Sequence, residues 1–413
     1  MRKNSVKGTS DFLPKDMRIR DYLVSTILSV YQANGFERIG TPILEDIENL
    51  DNSDGGENLN LIFKVMKRGE KLKDSLAKGD FDDLADMGLR YDLTLPLVRY
   101  YAAHRNELNS PFKVIQIGDV FRAERPQKGR MRQFMQCDID TLNASDISAE
   151  IELLDICAKA LLAIGISNFK FRINDRRILN SMLESIGFPQ EALQSVCISF
   201  DKLDKIGMDG VAEELIEKGM PAGAVDKLTE IVSAGDMSPT KVKEYCSDPK
   251  YAEDVERIIE SMNIIANGRF EIEFDMSLVR GQGYYTGTVF EVESLDFGSS
   301  IAGGGRYDNM IGKFLGEKVP AVGISIGFER IVGILSERGG SIGGSRPRYA
   351  VVFGEGEIVQ AIKKADELRA DYDVALFARP NKPGKLFAKL EAQGFKGCYV
   401  LGADEPVKEF QGT

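Results

Sequence analysis

Apolar residues recur at helical spacing at Ile19, Leu23, Ile27 and Val30, within a segment (15–33) that Asn34-Gly35 would stop. The same period returns over 150–164, at Ile151, Leu154, Ala158 and Leu161. Runs at 112–117 (FKVIQI), 133–139 and 286–293 (TGTVFEVE) predict strands instead. Strands come in runs rather than alternating with helices, so the pattern predicts an α+β fold around an antiparallel sheet with flanking helices. Residues 180–267 are charged and aromatic-poor, a helical insertion between two halves of the sheet domain. The run 339–348 (GGSIGGSRPR) has linker composition. Beyond it the order is strand 349–353, helix 358–369, strand 374–377, helix 385–393 and strand 398–401, a small α/β domain with parallel strands. The expected division is therefore 1–345 and 348–413, the second domain being short.

Composition narrows the function classes. No apolar stretch reaches bilayer length, and the N-terminal MRKNSVKGTSDF lacks a signal-peptide core. Five scattered cysteines without a C-x-x-C pair point to reduced thiols in a cytoplasm. With His104 the sole histidine, a His/Cys metal centre is not expected. A net charge of −11 argues against unspecific coating of nucleic acid, although residues 346–413 carry 11 Lys+Arg against 10 Asp+Glu.

Five stretches carry candidate chemistry. FRAERPQKGRMRQFMQ (121–136) places Arg122, Arg125, Lys128, Arg130 and Arg132 around a predicted turn, with Phe134 as an aromatic face. Guanidinium groups suit polyphosphate because they bind its oxygens bidentately and stay charged; a basic solvated hairpin fits the composition equally. In DMSLVRGQGYYTGTVFE (275–291), Arg280 precedes Tyr284 and Tyr285, which would face opposite ways in a strand. The glycines of IAGGGRYD (301–308), before Arg306 and Tyr307, permit close approach of backbone to a ligand. AVGISIGFER (321–330) sets Arg330 where a strand gives way to a helix. In GLRYDLTLPLVR (88–99), Asp92 and Thr94 would share one strand face and together suit an ammonium group.

Together, and in this order, these stretches resemble the histidyl-tRNA synthetase family of class II aminoacyl-tRNA synthetases, from KGTSDFLP (7–14) to the C-terminal domain. FRAERPQKGRMRQF is similar to the family's motif 2, LVRGQGYYTGTVFE to its histidine motif, AVGISIGFER to motif 3, and TPILE (41–45) to the end of motif 1, which belongs to the class's dimer interface. The resemblance implies a cytoplasmic homodimer that joins histidine to tRNA(His) with ATP and Mg²⁺. It implies ATP contacts from Arg122, Phe134 and Arg330, with Glu124 near Mg²⁺ and Arg280 as a second cation on the α-phosphate. The histidine ammonium would meet Asp92, Thr94 and Gln136; the imidazole would meet Asp140 and Tyr285, with Tyr284 and Tyr307 beside them. The C-terminal domain would bind the anticodon stem-loop. Met131, Met135 and Gly283 depart from the residues usual in the family. The family also has a non-catalytic paralogue that regulates ATP phosphoribosyltransferase; Arg122, Arg280, Arg330 and the tail domain favour the synthetase.

Overall fold

The computed structural model describes residues 3–53, 56–126, 130–235, 237–279, 283–337 and 346–410. The chain divides into two compact units, residues 1–11 with 23–337 and residues 12–22 with 338–413.

The first half of the larger unit supplies strands β1 (Glu37–Arg38), β2 (Leu44–Asp46), β3 (Lys64–Met66), β4 (Ala85–Leu89), β5 (Phe112–Phe121) and β6 (Gln133–Leu142). The second half supplies β7 (Phe169–Asp175), β8 (Glu271–Phe274), β9 (Thr288–Ser294), β10 (Ser299–Arg306) and β11 (Ala321–Ile326). Eight of these form one sheet in the order β1-β5-β6-β11-β10-β9-β7-β8, and β2, β4 and β3 form a small antiparallel one. Pairings from β5 to β7 across the large sheet are antiparallel, as the sequence predicts. The edge strands β1 and β8 pair in parallel, which the sequence does not predict. A parallel pair needs a long crossover, and the helices from Arg176 to Ala266 supply it between β7 and β8.

Helix Pro14–Ala33 opens with proline, whose fixed φ suits the first turn, and Gly35 follows it at φ 83. Its buried residues are Ile19, Leu23, Ile27 and Tyr31, while Val30 is half-buried. The predicted helix at 150–164 is Ser148–Ala163, with Leu153, Leu154, Cys157 and Leu161 inside. Its first turn carries Glu150, buried against Arg306 of β10. The Arg306 Nε donates to Glu150 Oε1 at 2.7 Å and Nη2 to Oε2 at 2.6 Å, and Thr288 Oγ1 donates to the same carboxylate at 2.8 Å. Arg306, beside the glycine run, is thus a tie between helix and sheet.

The smaller unit holds β12 (Arg348–Phe353), β13 (Asp373–Ala378), β14 (Phe395–Val400) and β15 (Val407–Glu409) in the order β13-β12-β14-β15, with helices Ile358–Leu368 and Pro383–Ala392. The three predicted strands pair in parallel. The fourth, β15, is antiparallel to β14 and has every residue exposed, so it leaves no alternating pattern in the sequence.

The Arg306–Glu150 side chains are only 6% and 1% exposed, so removing Glu150 leaves a buried guanidinium with Asp308, at 3.2 Å, as its remaining carboxylate partner. Glu150→Ala should lower unfolding free energy by about 3–5 kcal/mol. Urea denaturation followed by circular dichroism measures this; a loss below about 1 kcal/mol would be that of an exposed pair.

Candidate active site

The open face of the large sheet builds the site from strand alternation. On β6, Cys137 and Ile139 are fully buried, while Phe134, Gln136, Asp138 and Asp140 share the other side and line a cleft of about 1130 Å³. The β5–β6 ladder runs from Phe112↔Leu142 to Phe121↔Gln133, and one more backbone bond, Arg122 N–H to the Arg132 carbonyl at 2.9 Å, extends it. Arg122 lies 5.1 Å from the centre of the Phe134 ring, and its Nε donates to the Tyr91 carbonyl at 3.1 Å. This pins the guanidinium at the cleft's edge.

Two close approaches explain glycines in the neighbouring strands. A Cβ on Gly323 would lie 1.7 Å from Asp140 Oδ1, and one on Gly304 would lie 2.0 Å from the Gly323 carbonyl oxygen. The space is taken by the chain's own carboxylate and backbone, although Gly303 and Gly304 also border the cleft. Glycine here lets a carboxyl lie flat across the sheet.

Three buried carboxyls result. Burial is the main cause of a raised pKa in each: about 6 for Asp92, about 7 for Asp140, and well above the ordinary range for Asp138, which Asp140 pushes further. Tyr307 donates to Asp140 Oδ1 at 2.6 Å and opposes the rise there. At Asp92 the opposition comes from the Leu95 N–H at 3.2 Å and from Arg122. Asp138 Oδ1 and Gln136 Oε1 are buried with no hydrogen-bond partner among the described residues. Unsatisfied acceptors beside buried carboxyls make a receptor for a cationic donor.

The structure brings Asp92, Thr94, Arg122, Glu124, Phe134, Gln136, Asp140, Tyr284, Tyr285, Tyr307 and Arg330 to this one cleft. Arg280 and Lys128 lie outside the described residues. Three local expectations are corrected. Asp92 and Thr94 are not on a strand: β4 ends at Leu89, Thr94 opens helix Thr94–His104, and Asp92 turns back to accept the Leu95 N–H. Tyr284 and Tyr285 precede β9 in a turn, where their rings pack edge to face at 5.0 Å and both border the cleft. Arg132 faces backbone rather than the cleft, its Nε donating to the Glu124 carbonyl at 3.0 Å. The sequence reading missed Asp138, although polar residues at 136, 138 and 140 are the period-2 signal that locates it.

Arg330 sits in the first turn of helix Phe328–Glu337 and donates to the Ser300 carbonyl. Glu124 keeps a carboxylate at the cleft, 3.7 Å from the Arg130 guanidinium. Among the described residues no group of three or more metal-ligating side chains occurs, and no helix is long and apolar enough to cross a membrane.

Comparison with known proteins places this geometry. Residues 8–331 match the histidyl-tRNA synthetase family. The histidine-tRNA ligase of Leifsonia xyli is 39% identical over 97% of this chain and 95% of its own length. That of Christiangramia forsetii is 34% identical over 97% and 92%. The crystal structure of histidyl-tRNA synthetase from a Nostoc species superposes with a TM-score of 0.78 at 29% identity, over 98% of this chain and 93% of that one. A Bacillus halodurans protein described as an ATP phosphoribosyltransferase regulatory subunit/histidyl-tRNA synthetase reaches the same TM-score at 19% identity, a likeness of fold, over 97% of this chain and 98% of its own. With the family match spanning most of its length, the chain belongs to the histidyl-tRNA synthetase family.

Proposed function

We propose that the protein is a histidine-tRNA ligase: it activates histidine with ATP and transfers it to tRNA(His). The observation that carries this reading is the single cleft in which buried acceptors for an amino acid's ammonium and imidazole lie beside Arg122 and Phe134.

Histidine brings an ammonium with three donors and an imidazole with two polar nitrogens. Asp92, Thr94 and Gln136 receive the ammonium. Asp140, held by Tyr307, receives the imidazole beside Tyr284, Tyr285 and the newly located Asp138. An isostere lacking those nitrogens would leave the buried acceptors unpaired, which is how such a site rejects it. Phe134 takes the adenine face, Arg330 the far side of the nucleotide, and Arg122 the α-phosphate; Arg280 is the second cation proposed there.

A histidine carboxylate oxygen attacks the α-phosphorus, the bond to the β-phosphate oxygen breaks, and pyrophosphate leaves histidyl-adenylate behind. The terminal ribose hydroxyl of tRNA(His) then attacks the acyl carbonyl and AMP departs. The protein contributes positioning and fixed positive charge rather than a covalent nucleophile. Glu124 suits Mg²⁺ that arrives with the nucleotide, since that ion is commonly held by one or two carboxylates plus phosphate oxygens. When bound, it supplies neutralisation of phosphate charge. The smaller unit, with its β-α-β-α-β-β order, is the part proposed to grip the anticodon stem-loop.

A homodimer completes the proposal. The small sheet that contains the motif 1 residues leaves Leu44, Met66 and Met87 at 47%, 55% and 37% exposure, apolar side chains that the proposed partner subunit would cover.

Three measurements test this. ATP-pyrophosphate exchange should depend on histidine among the amino acids, and Arg122→Ala should cut its kcat/KM about 10²–10³-fold; an undiminished rate would remove Arg122 from the phosphate site. Asp92 and Asp140 have folded pKa values of about 6 and about 7, above the ordinary aspartate value of about 4. In the ligand-free protein they therefore contribute stability below about pH 4 that is lost as pH rises through about 7. The histidine ammonium prefers ionised carboxylates, so the protein loses protons on binding; with the ligand's own imidazole titration near about pH 6.5 subtracted, affinity should tighten about tenfold from about pH 5.5 to 7.5 by calorimetry. Asp140→Asn should flatten that slope; an affinity independent of pH refutes the electrostatic reading. Finally, sedimentation should find a dimer in the parent and a monomer in the Met66→Asp/Met87→Lys variant, whereas a monomeric parent would rule out this interface.

A further inference from the structure

The segment KGTSDFLP, part of the family resemblance, has no place in the chemistry above, and the structure gives its first residues a task. Val6, Lys7, Gly8 and Thr9 form a tight turn closed by the Thr9 N–H on the Val6 carbonyl at 2.9 Å and by Thr9 Oγ1 on the same oxygen at 2.8 Å. Gly8 occupies the third position with φ 90, the left-handed conformation that such a turn demands there. A Cβ on Gly8 would lie 2.8 Å from both Arg132 Cγ and Pro126 Cγ. Conformation and space both exclude a side chain.

The turn aims two carbonyls at one arginine. The Arg132 N–H donates to the Gly8 carbonyl at 2.7 Å, and Arg132 Nη1 donates to the Lys7 carbonyl at 3.3 Å. The same guanidinium's Nε reaches across the hairpin to the Glu124 carbonyl at 3.0 Å, and the Arg132 carbonyl receives the Arg122 N–H. Arg132 therefore ties three pieces of backbone together where the β5–β6 ladder has run out, flanked by Arg122, Glu124 and Phe134.

We propose that the Val6–Thr9 turn is a positioning element for the nucleotide: through Arg132 it fixes the hairpin arms that present Arg122 and Glu124 to the ATP phosphates. Gly8 and Arg132 touch no substrate and act only through the residues they hold. The proposal rests on the reading of this hairpin as the ATP site, so its test has one arm that needs no activity.

Hydrogen-deuterium exchange over residues 121–136 of the nucleotide-free protein reads the brace directly. Gly8→Val and, separately, Arg132→Met should speed exchange there while leaving residues 148–163 at the parent rate. In ATP-pyrophosphate exchange both variants should raise KM for ATP about tenfold or more, since small misplacements of positioning groups are costly. KM for histidine should stay within about twofold, which separates nucleotide positioning from general damage. Unchanged hairpin exchange in both variants overturns the brace. Faster exchange with an unaltered KM for ATP overturns its role in nucleotide binding, and so does an equal rise in both KM values. Failure of the ATP-site reading itself is a different result: Arg122→Ala would then exchange pyrophosphate like the parent protein.

Discussion

Burying carboxyl groups in a protein interior is unfavourable unless something compensates, and the large sheet buries Asp92, Asp138 and Asp140 around one cleft. The surroundings hold this arrangement together. Glycine at 323 vacates the volume that Asp140 needs, and glycine at 304 the volume of the Gly323 carbonyl. Tyr307 supplies its hydrogen bond, while the ring of Tyr307 and that of Tyr284 belong to the apolar core that includes Tyr91, Leu95 and Val114. The site is therefore firmly supported where the amino acid is proposed to bind. The proposed entry of an ammonium group would meet that energetic deficit, coupling binding to ionisation.

The side proposed for the nucleotide is organised differently. Arg122 and Phe134 lie at the end of a long hairpin whose ladder stops at Phe121↔Gln133. Beyond that point support comes from isolated contacts: Arg122 to the Tyr91 carbonyl, and Arg132 to the Gly8 and Glu124 carbonyls. A well-supported pocket, proposed for the amino-acid side chain, thus adjoins a braced arm proposed for the polyphosphate.

Much of this was legible in the sequence, and the failures have physical causes. Long amphipathic helices and the β5–β6 hairpin announced themselves by period, and the ordered motifs located the residues that line the cleft. Strand β15 was missed because VKE is wholly exposed, and the parallel edges because pairing direction leaves no mark on local alternation. Asp92 and Thr94 were placed on a strand because the two-residue spacing fits one; an Asp accepting the N–H of Leu95 at a helix start has the same spacing. Arg132 was grouped with the phosphate-facing cations because composition cannot tell an arginine that meets solvent from one that meets carbonyls. Arg306 left the same ambiguity, which only its contact with Glu150 resolves.

The parallel pairing of β7 with β8 also has a bearing on assembly. These strands are neighbours, Lys170 opposite Glu271, yet the helical insertion separates them along the chain. No short turn could bring β8 into that register, so its docking carries a large loop-closure entropy until the insertion has compacted. The residues just after β8 include Ser277 and Leu278, which form part of the cleft's wall, and Asn174 of β7 holds this stretch through the Met276 and Leu278 carbonyls at 3.1 and 3.0 Å. The insertion thereby ties the cleft to a distant module: Phe134 and Asp140 sit on the local β5–β6 hairpin, whereas Ser277 and Leu278 follow a strand that reaches its partner only across the helical insertion.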